Sequence, residues 1–278
     1  VEAGDSELAT GTVIGPYRIE ALVGEGGMGK VFRAVRQGET EPVALKVMRS
    51  RLSGEEEPRR RFLREARAAG AVRHKHLVPV LDAGEAGDRR YLVMPYVPGR
   101  NLDNRLADGP LPVSELVQIL AEVASGLDAL HRAGLVHRDV KASNVLLDEQ
   151  GSAALTDFGL AKRDDWSRLT KMGQVMGTVD YIAPELLRGE QATPASDLYA
   201  LGCVTYEMVA GRPPFEGGMF EVGMAHLEKQ PPDPTAGRPD APRSLGQAVQ
   251  LALEKDPRRR PPTATAFANL VSAAAAGR

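Results

Sequence analysis

His137-Arg138-Asp139-Val140-Lys141-Ala142-Ser143-Asn144 is the stretch on which the reading of this chain turns. It sets a carboxylate, an ammonium and a carboxamide within six residues, on a segment too short to be anything but one loop. A carboxylate accepts a proton from an attacking hydroxyl. An ammonium neutralises phosphate charge, and an amide oxygen holds a magnesium ion. Those are three needs of phosphoryl transfer in one place.

Just downstream, Thr156-Asp157-Phe158-Gly159 follows a short apolar strand. By itself it also reads as a simple turn of the Asp-x-Gly kind. Its spacing is more informative, because Asp157 comes 13 residues after Asn144. Two short strands, Val145–Leu147 and Ala153–Thr156, joined by a turn over Asp148–Ser152, bring Asn144 and Asp157 side by side. Two oxygen ligands at one place suit hydrated magnesium that bridges phosphates.

Upstream, Gly24-Glu25-Gly26-Gly27-Met28-Gly29 matches G-x-G-x-x-G, a spacing shared with dinucleotide-binding folds, where the glycines open a helix. Here Val31-Phe32-Arg33-Ala34-Val35 follows and alternates as a strand does. The spacing therefore predicts a strand–turn–strand hairpin, whose backbone N–H groups close over phosphates because glycine has no Cβ in the way. Val43-Ala44-Leu45-Lys46 then places a lysine on an apolar strand, and a buried ammonium needs a partner. Glu65, in Phe62-Leu63-Arg64-Glu65-Ala66, is the candidate. A lysine snorkelling at a strand edge and a glutamate facing solvent are the alternatives these two residues leave open.

The chain has 278 residues, 42% hydrophobic and 26% charged, enough for a sizeable core in one or two domains. A formal net charge of -2 supplies no general basic field for nucleic acid. The single cysteine, Cys203, excludes an intrachain disulfide framework and fits a reducing compartment. No apolar run is long enough to span a bilayer, and no signal peptide is visible. The chain begins at Val1 and ends in small residues, so a processed product or excised domain is expected.

Patterning predicts a loose tail over 1–12, and then strands at Tyr17–Val23, Val31–Arg36, Val43–Met48, Leu77–Ala83 and Arg90–Val97. One helix, Glu55–Ala71, interrupts them. After Pro98-Gly99 the pattern turns helical, with a long amphipathic helix at Val113–Ala133 and runs at about 193–211, 216–229, 243–254 and 264–275. There is no internal repeat. The expected class is α+β: a small β-rich lobe over 13–95 and a larger, mostly helical lobe over 96–275.

These residues in this order resemble the eukaryotic-type, or Hanks-type, protein kinase catalytic domain, over roughly 17–273. Gly24–Gly29, Val43–Lys46, His137–Asn144, Asp157–Gly159 and Ala183-Pro184-Glu185 match the family motifs one by one. The resemblance implies a bilobal fold that takes ATP and magnesium, with manganese as an alternative. It implies that Lys46 holds the α/β-phosphates and Glu65 holds Lys46. Asp139 would accept the hydroxyl proton, Lys141 would stabilise the transferring phosphoryl group, and Asn144 and Asp157 would bind the metal. The nucleotide would lie under Leu22, Val23, Gly24, Glu25, Gly26, Gly27, Met28 and Gly29. Adenine would sit between Val31 and Ala44 on one side and Leu146 on the other. Pro95, Tyr96 and Val97 would form the hinge, with Met94 as gatekeeper. Glu185 would pair with Arg260, and Asp197 would brace the catalytic loop.

Lys141 and the segment Gly177–Glu185 are similar to bacterial serine/threonine kinases. That implies protein substrates with serine or threonine acceptors, a cytoplasmic location as the inner part of a membrane-anchored protein, and a homodimer through the small lobe. Arg138 implies control by an activation-segment phosphate, with Thr170 and then Ser167 as the acceptors. The chain departs from the family at Ala142, usually Pro, and at Pro95, usually Glu. A pseudokinase scaffold and a small-molecule phosphotransferase are the competing classes. The intact Lys46, Asp139 and Asp157 count against the first, and the Ala-Pro-Glu segment counts against the second.

Overall fold

The structure is a computed structural model that describes residues 8–26, 29–48, 56–87, 89–157 and 179–277, with side chains described from Phe62 onward in the first helix. The chain divides into two compact units, one of residues up to Arg73 with Pro79–Val97, the other of His74–Val78 with everything from Pro98 on.

The first unit is an antiparallel sheet of β1 (Val13–Ile14), β2 (Tyr17–Gly26), β3 (Gly29–Arg36), β4 (Pro42–Met48), β5 (Asp82–Ala86) and β6 (Arg89–Pro95), in the order β1-β2-β3-β4-β6-β5. Period-two alternation sorts its side chains. The register aligns Phe32, Leu45 and Val93 in one row across β3, β4 and β6. These join Ile19, Ala34, Val47 and Tyr91 in the core, where each large apolar side chain contributes about 1.5–3 kcal/mol. The rows on either side, Val31–Lys46–Leu92 and Arg33–Ala44–Met94, point to the opposite face. The helix α1 (Glu56–Ala71) buries Phe62, Ala66 and Ala69, one stripe at helical spacing, and packs against β5. Inside the segment expected as a tail, Gly11 N–H donates to Ile19 O at 2.8 Å and Thr10 Oγ1 donates to Glu20 O at 3.1 Å.

The predicted strand Leu77–Ala83 is replaced by β5 at Asp82–Ala86. Pro79 has no N–H to give to a ladder. Leu77 instead makes an isolated parallel bridge to Leu155, and Val78 N–H donates to Leu155 O at 2.9 Å, so this apolar run belongs to the second unit. The true edge strand, Asp-Ala-Gly-Glu-Ala, is too small and polar to signal itself.

The second unit is built around α3 (Val113–Arg132), which follows the short α2 (Leu102–Leu106). Leu116, Ile119, Leu120, Val123, Leu127 and Leu130 of α3 are buried. The short α4 (Pro184–Leu187) precedes α5 (Pro194–Ala210), whose mostly apolar sequence is buried nearly all round. α6 (Met219–Glu228), α7 (Arg243–Ala252) and α8 (Ala264–Ala275) complete the unit. Asp128 ties α3 to α8 by accepting the N–H groups of Ala264 and Thr265, both at 2.9 Å. A small sheet of β7 (Arg100–Asn101), β8 (Val145–Leu147) and β9 (Ala153–Leu155) carries the putting-together of the chemical residues. Its approach demands glycine at 99: φ is +140°, and a Cβ there would lie 2.1 Å from Leu147 O.

Candidate active site

The loop after α3 is held from within and from a distance. His137 is fully buried, and burial lowers its pKa, so the imidazole is neutral. Its Nδ1 accepts Asp139 N–H at 3.2 Å, which leaves the proton on Nε2 to bond Thr156 O at 3.0 Å. The tautomer is thereby fixed, and the ring joins the loop to the residue before Asp157.

Asp197, in the first turn of α5, is the second brace. Its Oδ2 accepts His137 N–H at 2.7 Å and His131 Nε2–H at 2.8 Å, and its Oδ1 accepts Arg138 N–H at 2.8 Å. Arg138 has φ +65°, a conformation uncommon outside glycine. The carboxylate bonds hold it there. The outcome is a fixed position for Asp139, which is 8% exposed, with Lys141 Nζ 3.2 Å from its Oδ2.

Asn144 uses its amide nitrogen to bond Asp139 O at 2.8 Å, so its oxygen is the atom left to bind a metal. Thr156 N–H donates to Asn144 O at 2.9 Å, and Val145 pairs with Leu155, so the hairpin brings Asn144 next to Thr156 and Asp157. Asp157 also has positive φ, +62°. An amide oxygen and a carboxylate are hard donors that fit magnesium or manganese. Among the described residues no group of three or more His, Cys, Asp or Glu is arranged to hold a metal ion.

Asp139 and Lys141 line a cleft whose other wall is Tyr181, Ile182, Ala183 and Leu186. Tyr181 Oη donates to Glu207 at 2.6 Å. Burial and that carboxylate push the phenol's pKa up, and burial pushes Glu207 up as well. Below the cleft, Glu185 and Arg260 form a buried two-pronged pair at 2.7 and 2.8 Å. Arg260 is further fixed by Ala195 O at 2.7 Å and Glu254 O at 2.8 Å, and it lies 4.8 Å from the Tyr199 ring centroid.

In the first unit the glycine run is a hairpin, with Gly26 paired to Gly29. No helix follows it, which removes the dinucleotide-fold reading. A Cβ on Gly29 would lie 2.1 Å from Val47 O, whereas Gly24 and Gly26 have open space. Leu22 and Val23 are exposed, and Glu25 is exposed beside them. Val31, Ala44, Lys46 and Met94 share the sheet face away from the core, and Lys46 is buried. Glu65 is half-buried on α1, as are Pro95 at the end of β6, Tyr96 and Val97 after it and, in the second unit, Leu146 on β8. Gly27, Met28, Ser167 and Thr170 lie outside the described residues.

A family model described as the protein kinase domain matches residues 17–270. The chain belongs to the protein kinase family. The kinase is 41% identical over 274 residues to serine/threonine-protein kinase PknA of Mycobacterium tuberculosis, covering 96% of this chain and 63% of that protein. It is 40% identical over 258 residues to serine/threonine-protein kinase PknE of Mycobacterium bovis, covering 92% of this chain and 46% of that protein. It thus spans about half to two thirds of the length of these curated relatives. Among solved structures, a Mycobacterium tuberculosis PknI kinase domain matches with TM-score 0.78 and 32% identity, covering 98% of this chain and 100% of that one. These likenesses agree with a kinase fold made of a β-rich and a helical unit.

Sequence reasoning did not find His131 or Glu207. Both lie on long helices, at positions that read as ordinary polar faces, and only packing shows what they touch.

Proposed function

We propose that this kinase domain transfers the γ-phosphoryl group of ATP to serine and threonine hydroxyls of other proteins. The observation that carries the reading is Asp139, whose backbone is fixed by a buried bond to His137 and whose carboxylate lies beside the Lys141 ammonium, in a cleft shared with Tyr181 and Ile182. Asp139 orients the acceptor hydroxyl and takes its proton. Lys141 steadies the transferring group and, two residues after the base, favours serine and threonine acceptors. Asn144 and Asp157 would hold magnesium, or manganese, which when bound would supply positive charge to neutralise the phosphates. Lys46, oriented by Glu65, holds the α/β-phosphates, and the hairpin from Leu22 through Gly29 covers them. Adenine rests against Val31, Ala44 and Leu146, bonds the backbone of Pro95 to Val97, and backs onto Met94. Tyr181 to Ala183 receive the substrate backbone next to the acceptor.

Phosphorylation of Thr170, or of Ser167, supplies the anion that Arg138 pairs with and sets the loop for turnover. The same reading takes the domain to be cytoplasmic in a membrane-anchored protein, paired through its small unit and without nucleic-acid partners. No described helix is long and apolar enough to cross a membrane.

Incubation with radiolabelled ATP, magnesium and a basic protein acceptor tests the reading. Label on serine and threonine, abolished by a metal chelator, is the expected result. No label on the protein itself or on any acceptor would sink it. Mass spectrometry of the self-incubated protein locates the acceptors and separates Thr170 from Ser167.

A further inference from the structure

The sheet face that carries Val31, Ala44, Lys46 and Met94 carries one more residue that the nucleotide reading does not use. Arg33 stands in the same row as Ala44 and Met94, two residues along β3 from Val31. Its side chain is 40% exposed, so the guanidinium keeps contact with water while its neighbours orient it. Arg33 is held twice. Its Nη1 bonds Glu20 Oε2 on the neighbouring strand β2. Its guanidinium carbon lies 5.8 Å from the centroid of the Tyr96 ring, within cation–π range. Glu20, Arg33 and Tyr96 thus run from β2 across β3 to the segment that leaves β6.

That segment follows Pro95, the last residue of β6, which pairs with Val43 but has no N–H to give to the sheet. A planar cation over the Tyr96 ring fastens the same backbone from its side-chain side, and the Glu20 carboxylate fixes the angle of the plane.

We propose that Arg33 is a positioning residue for the adenine base, acting through Tyr96 to hold the hinge carbonyl and N–H groups in the orientation the base bonds. The inference rests on the reading of Pro95 to Val97 as the adenine-bonding hinge. Arg33 acts on binding and leaves the phosphoryl-transfer step alone, because Asp139, Lys141 and the metal ligands are all elsewhere in the chain.

The test is ATP affinity, measured by displacement of a fluorescent adenine nucleotide, together with steady-state kinetics on a protein acceptor. Arg33→Ala is expected to weaken ATP binding about 3- to 5-fold, the scale of one lost cation–π contact. KM for ATP should rise in step, with kcat at saturating ATP within about twofold of the parent. Arg33→Lys, which keeps a cation over the ring, recovers most of the loss. Tyr96→Ala loses the same factor, and the double variant Arg33→Ala/Tyr96→Ala is no weaker than either single one, the mark of a shared interaction. Unaltered ATP affinity in Arg33→Ala, or losses that multiply in the double variant, would overturn the proposal while leaving the kinase reading intact. Failure of the parent protein to bind ATP would strike the kinase reading itself. A kcat loss without a KM change would assign Arg33 to another role.

Discussion

The catalytic loop and the glycine hairpin are built in opposite ways. In the loop, Asp139 is flanked by backbone groups that other side chains hold: Asp197 grips the N–H groups of His137 and Arg138, and His137 reaches to Thr156. The described part of the hairpin is held by its own strand ladder and by the Lys30–Glu25 pair at 3.7 Å. Leu22 and Val23 are 54% and 53% exposed, and side chains added at Gly24 and Gly26 would meet nothing. A base that must meet a hydroxyl within a fraction of an ångström needs preorganisation. A cover that must admit and release a nucleotide needs freedom. The contrast lies in who supplies the restraint, distant buried side chains in one case and the strand ladder with exposed side chains in the other.

The comparison breaks first at the base. Asp139→Asn is expected to lower kcat by about 10²- to 10⁴-fold while ATP still binds, read by single-turnover transfer and nucleotide displacement. Near-normal turnover would remove the base from the loop and the reason for its bracing.

Next in size are the braces. Arg260→Ala leaves Glu185 buried without its partner and should destabilise the domain by about 3–5 kcal/mol in chemical denaturation. Asp197→Ala strands two backbone donors and the His131 ring, and should destabilise by about 3 kcal/mol while also cutting kcat at least tenfold. Loss of stability with kcat intact would mean that Asp197 supports the fold and does not set the base.

The hairpin should answer with a smaller, differently distributed effect. Gly26→Ala has room for its Cβ and should raise KM for ATP several-fold with no change in melting temperature. Gly29→Ala forces a Cβ against Val47 O and should lower the melting temperature as well. Equal behaviour of the two would erase the distinction between the open tip of the hairpin and its root in the sheet.

The smallest effect concerns Lys255, whose ammonium lies 5.0 Å from the Phe215 ring centroid and 5.6 Å from that of Tyr199, with Tyr199 Oη at 3.3 Å. Burial lowers its pKa to about 8. The unfolded chain then binds more protons than the folded one between that value and the ordinary lysine range, so stability rises with pH across the interval. The aromatic faces favour the charged form and reduce the slope. Lys255→Met should flatten this part of the stability profile, and an unchanged profile would place the ionisation elsewhere.

The local pieces of the site were legible because each is written within a few residues. The hairpin came from glycine spacing followed by alternation, and the pairing of Asn144 with the end of β9 came from two short strands and a turn. The strand at Asp82–Ala86 was missed because apolar patterning favoured Leu77–Val80, of which Leu77 and Val78 pair with Leu155 of β9 instead. Resemblance placed Asp197 and Arg260 near their partners, which spacing alone does not do.

By itself the sequence determined which chemical groups stand together along the chain and which turns present them, since dihedral preference and side-chain period act over a few residues. Only the tertiary structure decided what else restrains those groups: His131 on Asp197, Glu207 on Tyr181, Arg33 over Tyr96. Those partners lie on other strands and helices, and burial makes their bonds strong only after packing has brought them within reach and excluded water.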